Sequence, residues 1–397
     1  MAQSVDLSFA TRPGNIDAVG DLIQELSTLR RDLNHGDENI RQTMLVKART
    51  LIHSLQTPRE IMVQHTWADK PGLNAVLITG VDIGLWKLMV KNGTDKAQKA
   101  EDLARSLGME TILLGRLLRH AAAMGHLQEV GQDEYKLSSF TRSLSLDVIG
   151  DGYLALLGGI GRSPIEFYKF LRLTQWKNPT DASHTAMHVS YDTNLPNCFE
   201  YLRSIGLGPQ TNNHMGGYRQ GRLPWMHPSL YPVEETLFPG TDGSPDAPLL
   251  VDVAGGLGHD IHEFKKFYPN HPGKLVLQDL PVVINDVKDI DPSIELMPHD
   301  FLTEQPIKGA RAYFMHSILH DWPDDQLLIF ECVIPRTGAY WEATAGDILM
   351  MTQLSALERT EDNWYQLIEG SGLNLKIVKF WKCGVASVEN LIECELV

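Results

Sequence analysis

The run Leu249-Leu-Val-Asp-Val-Ala-Gly-Gly-Leu-Gly-His-Asp sets an apolar strand ahead of a glycine-rich turn. The pattern predicts a buried strand over Leu249 to Val253, a turn, and a helix beginning near Asp260. Glycines suit that turn because the backbone must bend tightly and admit a ligand where a Cβ would stand. A second apolar run, Lys274 to Gln278, ends in Asp279, 21 residues beyond Gly258. An acid at that spacing can accept hydrogen bonds from both hydroxyls of a ribose. The following loop offers His299-Asp300-Phe301, a carboxylate beside an aromatic ring, which suits the amine and the flat face of an adenine. Further on, His320 in Leu319-His-Asp-Trp follows a strand pattern over Arg311 to Ile318. That order places an imidazole at the carboxyl edge of a sheet, where open α/β sheets bind ligands. An unperturbed imidazole, with a pKa of about 6.5, is mostly neutral at physiological pH and able to accept a proton. The chemistry on offer is capture of a nucleoside beside a proton acceptor.

From Leu249 to the C-terminus short apolar runs alternate with helical stretches. Alternation of this kind implies a parallel, doubly wound sheet. Ahead of it, Pro224, Pro228, Pro232, Pro239 and the run Gly240-Thr-Asp-Gly-Ser-Pro-Asp-Ala-Pro mark a linker. Near the N-terminus Val19, Leu22, Ile23, Leu26 and Leu29 fall at helical spacing, and a second helix is expected around Arg41 to Leu55. Leu73 to Val90 reads as one buried helix, because Asp82 and Lys87 interrupt it too early for a membrane span of about 20 apolar residues. In residues 94–145, Thr94 is placed to cap a short helix. Two helices, Ala100 to Leu107 and Glu110 to Met124, follow around Gly108, then a turn at Gly131 to Glu134 and a strand at Tyr135. Helix, turn, helix and hairpin is a winged-helix order. Packing or dimerisation is favoured there over DNA binding, since the second helix is mostly apolar and carries only Arg116 and Arg119.

Composition sets the outer limits. The chain has 397 residues, enough for two to three domains, with 43% hydrophobic and 21% charged residues, an ordinary globular balance. Fifty acidic against 35 basic residues give a net charge of −15, which repels phosphate backbones and disfavours nucleic acid as a partner. Four cysteines, Cys198, Cys332, Cys383 and Cys394, are too few for a disulfide scaffold and lack CxxC spacing for a metal. A reducing, cytoplasmic location without membrane attachment or a signal segment is expected.

The motifs VDVAGGLGHD, LQDLP, MPHDF, LHDWPDD and ALERTEDNW, in that order, resemble the S-adenosylmethionine-dependent O-methyltransferases of the caffeate and flavonoid type, in their fungal secondary-metabolism branch. TPREIM and HMGGYRQGRLPWMHPSLYPVEE extend the similarity over nearly the whole chain. The resemblance implies an α/β protein with a C-terminal Rossmann-like domain, an N-terminal helical and winged-helix dimerisation domain, and a homodimer. On it, residues 1–90 are an N-terminal helical region, 91–148 the winged-helix module, 149–240 the helical substrate-pocket and linker region, and 241–397 the cofactor domain. It implies that Asp252, Gly255, Gly256 and Gly258 hold the methionine part of S-adenosylmethionine, Asp279 the ribose, and Asp300 with Phe301 the adenine. It further implies His320 as general base, with Glu331 and Glu358 flanking and orienting it, and no metal. Trp176, His184, Met187, His188 and Trp225 are candidates for an apolar and aromatic substrate pocket, whereas His214, Tyr218 and Arg219 suit structural polar contacts.

Three departures stand out. Ala254 occupies a position where the family usually has another glycine, which points to a narrower pocket and weaker binding. His316, assigned to the cofactor site, stands where the family often has Arg or Lys. Only residues 320–326 separate the strands expected at 311–319 and 327–334, so the family's intervening helix reads as missing, through an exon lost from the gene model, a deletion in a catalytically damaged paralogue or a rebuilt sheet, and each of these puts the facing of Glu331 and His320 in question. A parallel crossover takes about a dozen residues or more. The leading expectation is methyl transfer to a hydroxyl of a small aromatic or polyketide-type metabolite. The alternatives are a methyltransferase-like pericyclase or dehydratase, a catalytically impaired paralogue, and a non-catalytic regulator.

Overall fold

The computed structural model describes residues 7–34, 37–217, 222–241, 244–319, 329–370, 372, 374–382 and 388–396. The chain divides into two compact units, one of residues 1–161 and 202–218, the other of 162–201 and 219–397. The stretch 149–240 is therefore shared between both.

The first unit opens with α1 (Val19–Asp32) and α2 (Glu38–Leu55), which pack on each other and are tied by Lys47 to Glu25 at 2.7 Å. Asp37 caps α2 by accepting the Ile40 N–H. Leu22 is the one fully buried side chain of α1, while Ile23, Leu45, Val46, Ile52 and Leu55 of this pair stay exposed. Leu73 to Val90 is not a single helix. It contains Asn74–Asp82 and Leu85–Asn92, bent by 66° at Gly84, whose φ of 74° lies in the left-handed region that favours glycine and breaks a helix. Among the described residues no single helix is long and apolar enough to cross a membrane. The segment after Thr94 is a turn leading into β1 (Gln98–Lys99), not a helix. Then come α3 (Ala100–Leu107), Gly108 at φ 66°, α4 (Thr111–Ala123), and the hairpin of β2 (Leu127–Gly131) and β3 (Glu134–Leu137). These strands form a three-stranded antiparallel sheet in the order β1-β3-β2. Trp86, Met89, Leu103, Leu114, Leu118 and Tyr135 make its core.

In the second unit, α5 (Arg162–Leu173) and the helix Ala186–Tyr191 accompany a sheet domain. Four parallel strands, β4 (Pro248–Val253), β5 (Lys274–Asp279), β6 (Ile294–Pro298) and β7 (Ala312–Phe314), run in the order β6-β5-β4-β7. Helix α6 (His259–Phe267) follows β4. Then β8 (Ile329–Ile334), α7 (Trp341–Leu354), β9 (Arg359–Thr360), α8 (Glu361–Gly370), β10 (Leu375–Lys382) and β11 (Glu389–Leu396) give a second sheet, β10-β11-β8-β9. A parallel bridge from His316 to Phe330 joins the two sheets. β4 is buried from Leu249 to Val253, which explains its unbroken apolar sequence. Successive residues feed two core layers: Leu275, Leu277 and Phe314 on one side, Val276, Met315 and Ile329 on the other. Of the strands expected at 311–319 and 327–334, only Ala312–Phe314 and Ile329–Ile334 are strand, and they meet through that one parallel bridge. The connection on which a lost helix was inferred, 320–326, lies outside the described residues.

Candidate active site

Carboxylates gather where β4 and β5 end. Asp252, near the end of β4, is 1% exposed; the Ile261 N–H in α6 faces it, but neither carboxyl oxygen makes a well-formed hydrogen bond among the described residues. Burial first, and the nearby Asp260 charge second, push its pKa well above the usual carboxylate range. An orphaned buried acid is costly. It marks a place shaped for a cationic or hydrogen-bond-donating ligand.

The glycine turn follows. Gly255 is required because an added Cβ would lie 2.5 Å from the Asp252 carboxyl carbon and 2.6 Å from Leu277. Gly258, at φ 81°, is the N-cap of α6. Gly256, at φ 60°, faces open space and donates its N–H to Asp279 at 2.8 Å. The other Asp279 oxygen accepts the Leu280 N–H at 2.7 Å. Burial raises the Asp279 pKa against these two hydrogen bonds, and each oxygen keeps a lone pair for a ribose hydroxyl. His299 N–H donates to the Asp279 carbonyl at 2.8 Å, so the His299-Asp300-Phe301 loop returns to the end of β5. Asp300 is exposed and turns its carboxylate to Leu302 N–H, and Phe301 is half-buried against the sheet core. These residues form an open cradle with acids at two ends, which fits S-adenosylmethionine with its ammonium, sulfonium and ribose.

His316 does not stand free at this edge. Its Nδ1 meets Asp260 Oδ2 at 2.8 Å and its Nε2 meets Glu389 Oε1 at 3.2 Å. The imidazole is thus held between two carboxyl groups, one at each ring nitrogen. Glu389 also receives Arg222 at 3.0 Å, and Arg222 reaches Glu342 at the start of α7. The resulting chain, Asp260–His316–Glu389–Arg222–Glu342, ties α6, the bridge residue just beyond β7, β11 and α7 together. Sequence spacing gave no sign of it, because its members span residues 222 to 389 without any period.

His320, the expected base, lies outside the described residues, as do Tyr218 and Arg219. Glu331 is fully buried on β8, and its Oε1 accepts the N–H groups of Ile318 and Leu319 at 2.8 and 2.7 Å. Glu358 is buried beside Gly346 and the Cys332 thiol. Burial, then the Glu358 charge, push that thiol's pKa far up. The five residues suggested for a substrate pocket differ in burial and surroundings. Trp225 stacks on Phe264 and Phe314 inside the sheet core, so its indole serves packing. Met187 is buried, and His188 caps its own helix through Thr185 and reaches the Leu195 carbonyl at 2.8 Å. Trp176 and His184 are exposed. His214 packs against Gly152 in the first unit, with burial lowering its pKa.

A doubly wound sheet with an acid-lined glycine turn at its carboxyl edge defines a nucleoside-binding α/β domain. The O-methyltransferase domain family matches residues 245–328. The O-methyltransferase mpaG of Penicillium brevicompactum is 32% identical over 406 residues, covering 94% of this chain and 98% of the relative. The structure of LepI in complex with SAM superposes with a TM-score of 0.83 at 27% identity, covering 96% of this chain and 99% of that one. A structure described as a pericyclic reaction enzyme does so with a TM-score of 0.84 at 26% identity, covering 96% and 100%. The chain belongs to the S-adenosylmethionine-dependent O-methyltransferase family.

Proposed function

We propose that this chain moves a methyl group from S-adenosylmethionine to a hydroxyl oxygen of a small aromatic or polyketide-type metabolite. The observation that carries the reading is the buried Asp252 carboxyl beside Gly255, which makes no well-formed hydrogen bond, with Asp279 holding the next glycine of the turn through the Gly256 N–H. On this reading Asp252, Gly255, Gly256 and Gly258 hold the methionine end, Asp279 the ribose, and Asp300 with Phe301 the adenine. S-adenosylmethionine supplies a methyl group already activated by its sulfonium. What remains for the protein is to hold the acceptor oxygen in line and take its proton. His320 is assigned that proton. His316 holds the start of α6 through Asp260 and so supports the cradle from below.

The test is incubation of the full chain with S-adenosylmethionine and a panel of substituted phenols, read by mass spectrometry. A product heavier by one methylene is expected, with the rate falling about 10²–10⁴-fold in His320→Ala. No such product from any phenol, with no cofactor retained by calorimetry, overturns the reading. The TM-score of 0.84 to a pericyclic reaction enzyme favours a second reading, rearrangement of a bound polyene without methyl transfer. Its mark is a product of unchanged mass. His316, the departure from the family's Arg or Lys, has both ring nitrogens facing carboxyl groups.

We also propose a winged-helix role for residues 91–148 and a homodimer. Support for the first is the order β1, α3, α4, β2, β3, and for the second the exposed apolar side chains of α1 and α2. Arg119, one of two basic residues on α4, pairs with Asp133 at 3.1 Å, which disfavours a nucleic-acid role.

A further inference from the structure

The crossover from β6 to β7, residues 299–311, carries Asp300 and Phe301 and contains neither helix nor strand. A parallel crossover usually includes a helix, whose internal hydrogen bonds keep it rigid. Here side chains hold the connection instead. The His299 N–H ties its start to the Asp279 carbonyl at 2.8 Å, and the Tyr313 hydroxyl donates to the Ile307 carbonyl, further along, at 2.8 Å. Between these two points stands a reciprocal amide pair. Gln278 Nε2 donates to Gln305 Oε1 at 2.8 Å, and Gln305 Nε2 donates to Gln278 Oε1 at 2.8 Å. The Gln278 amide also reaches the Met297 sulfur at 3.2 Å, and Gln305 Oε1 accepts the Ile307 N–H at 3.1 Å. Gln278 is 0% exposed and sits on β5 one residue before Asp279. By the alternation of the strand it faces the layer of Val276, against which Phe301 also packs. An apolar residue would fill that layer without the desolvation that a buried amide must offset. The pair joins the strand that bears the ribose acid to the loop that bears Asp300 and Phe301.

We propose that Gln278 and Gln305 are positioning residues for the adenine end of the cofactor: they hold the 299–307 loop at one height against β5, so that Asp300 and Phe301 stand in register with Asp279. The Asp300 carboxylate accepts the Leu302 N–H at 3.0 Å and its carbonyl the Thr303 N–H at 2.9 Å. Both contacts are internal to the loop and leave its height over the sheet to be set from outside, which Gln305 does. A loop in register for only a fraction of the time binds with an affinity lowered by that fraction. This role rests on the proposed seating of the adenine at Asp300 and Phe301, and the test separates the two.

In the full chain, Gln305→Leu and the double variant Gln278→Leu with Gln305→Leu are compared with the parent by hydrogen exchange of residues 299–307 and by melting temperature. Calorimetry then uses S-adenosylhomocysteine and S-inosylhomocysteine, in which a carbonyl oxygen replaces the adenine amine. The parent is expected to prefer the adenosyl ligand, whose amine donates to Asp300. The double variant should melt close to the parent, since neither amide is left unpaired, whereas Gln305→Leu alone strands the buried Gln278 and should melt lower. In the double variant exchange across 299–307 should rise about tenfold, and the affinity for S-adenosylhomocysteine should fall by about the same factor. The inosyl ligand draws less from the loop and should lose less, so the preference for adenine narrows. An unchanged affinity in the double variant, or an equal loss for both ligands, overturns the proposal. If the double variant does not fold, Gln305→Leu, on the half-buried side of the pair, carries the same comparison. If Asp300→Ala and Phe301→Ala both bind S-adenosylhomocysteine as tightly as the parent, the adenine seating fails, while exchange still decides whether the pair holds the loop.

Discussion

Ala254 carries a methyl group on backbone at φ 55°, where an L-residue is disfavoured by roughly 1–2 kcal/mol. The sequence marked this position as a departure from the family's glycine, and the strain gives the departure its physical content. Ala254→Gly is expected to raise stability by about 0.5–1 kcal/mol in urea denaturation, the relief of strain exceeding the added freedom of the unfolded chain, and to tighten S-adenosylmethionine binding. A loss of stability would show that the alanine packs usefully. Asp252 predicts a pH effect. Its pKa is raised in the fold above the ordinary 3.8, so between those two values the folded state binds more protons than the unfolded one. Stability then falls as pH rises from about 4 toward the raised value. Asp252→Asn should flatten that fall and stabilise the cofactor-free protein at neutral pH. Binding of the cationic cofactor should ionise Asp252, and calorimetry in buffers of different ionisation enthalpy should detect the released proton. Proton-independent binding would remove Asp252 from the site.

At the scale of elements, legibility followed how local the governing physics was. β4 and β5 were readable because strands buried on both faces need continuous apolar runs, and the turn was readable because Gly255 and Gly258 meet steric limits written in the residue type. Leu73 to Val90 was misread as one helix because the bend depends on the left-handed Gly84, one residue in an apolar run. The His316 chain and the Gln278–Gln305 pair were invisible, since each joins distant residues through single side chains. The sequence also paired Trp225 with a pocket on residue type alone, and packing against Phe264 and Phe314 decided otherwise. The helices α1 and α2 raise the opposite question, a stripe visible in sequence that the fold leaves uncovered. Ile23 is 51% and Ile52 52% exposed. If a second copy covers them, light scattering should give twice the chain mass, and Ile23→Glu with Ile52→Glu should shift it toward the monomer. A monomeric parent chain would refute the dimer.

For the whole molecule, the acidic excess of 15 charges sets the exterior, while the buried acids at the carboxyl edge set the ligand. The second unit is woven from two separated lengths of chain, 162–201 and 219–397, with 202–218 belonging to the first. Ser163 on α5 lies 3.5 Å from Gln353 on α7, a contact spanning 190 positions. Neither half is therefore a cassette. A chimera that exchanges only the stretch after the linker would leave α5 matched to a foreign neighbour, so grafts between relatives should carry residues 162–201 along. During synthesis, too, α5, which ends at Leu173, emerges long before α7, which begins at Trp341, and must wait with that face uncovered while the chain between them is made.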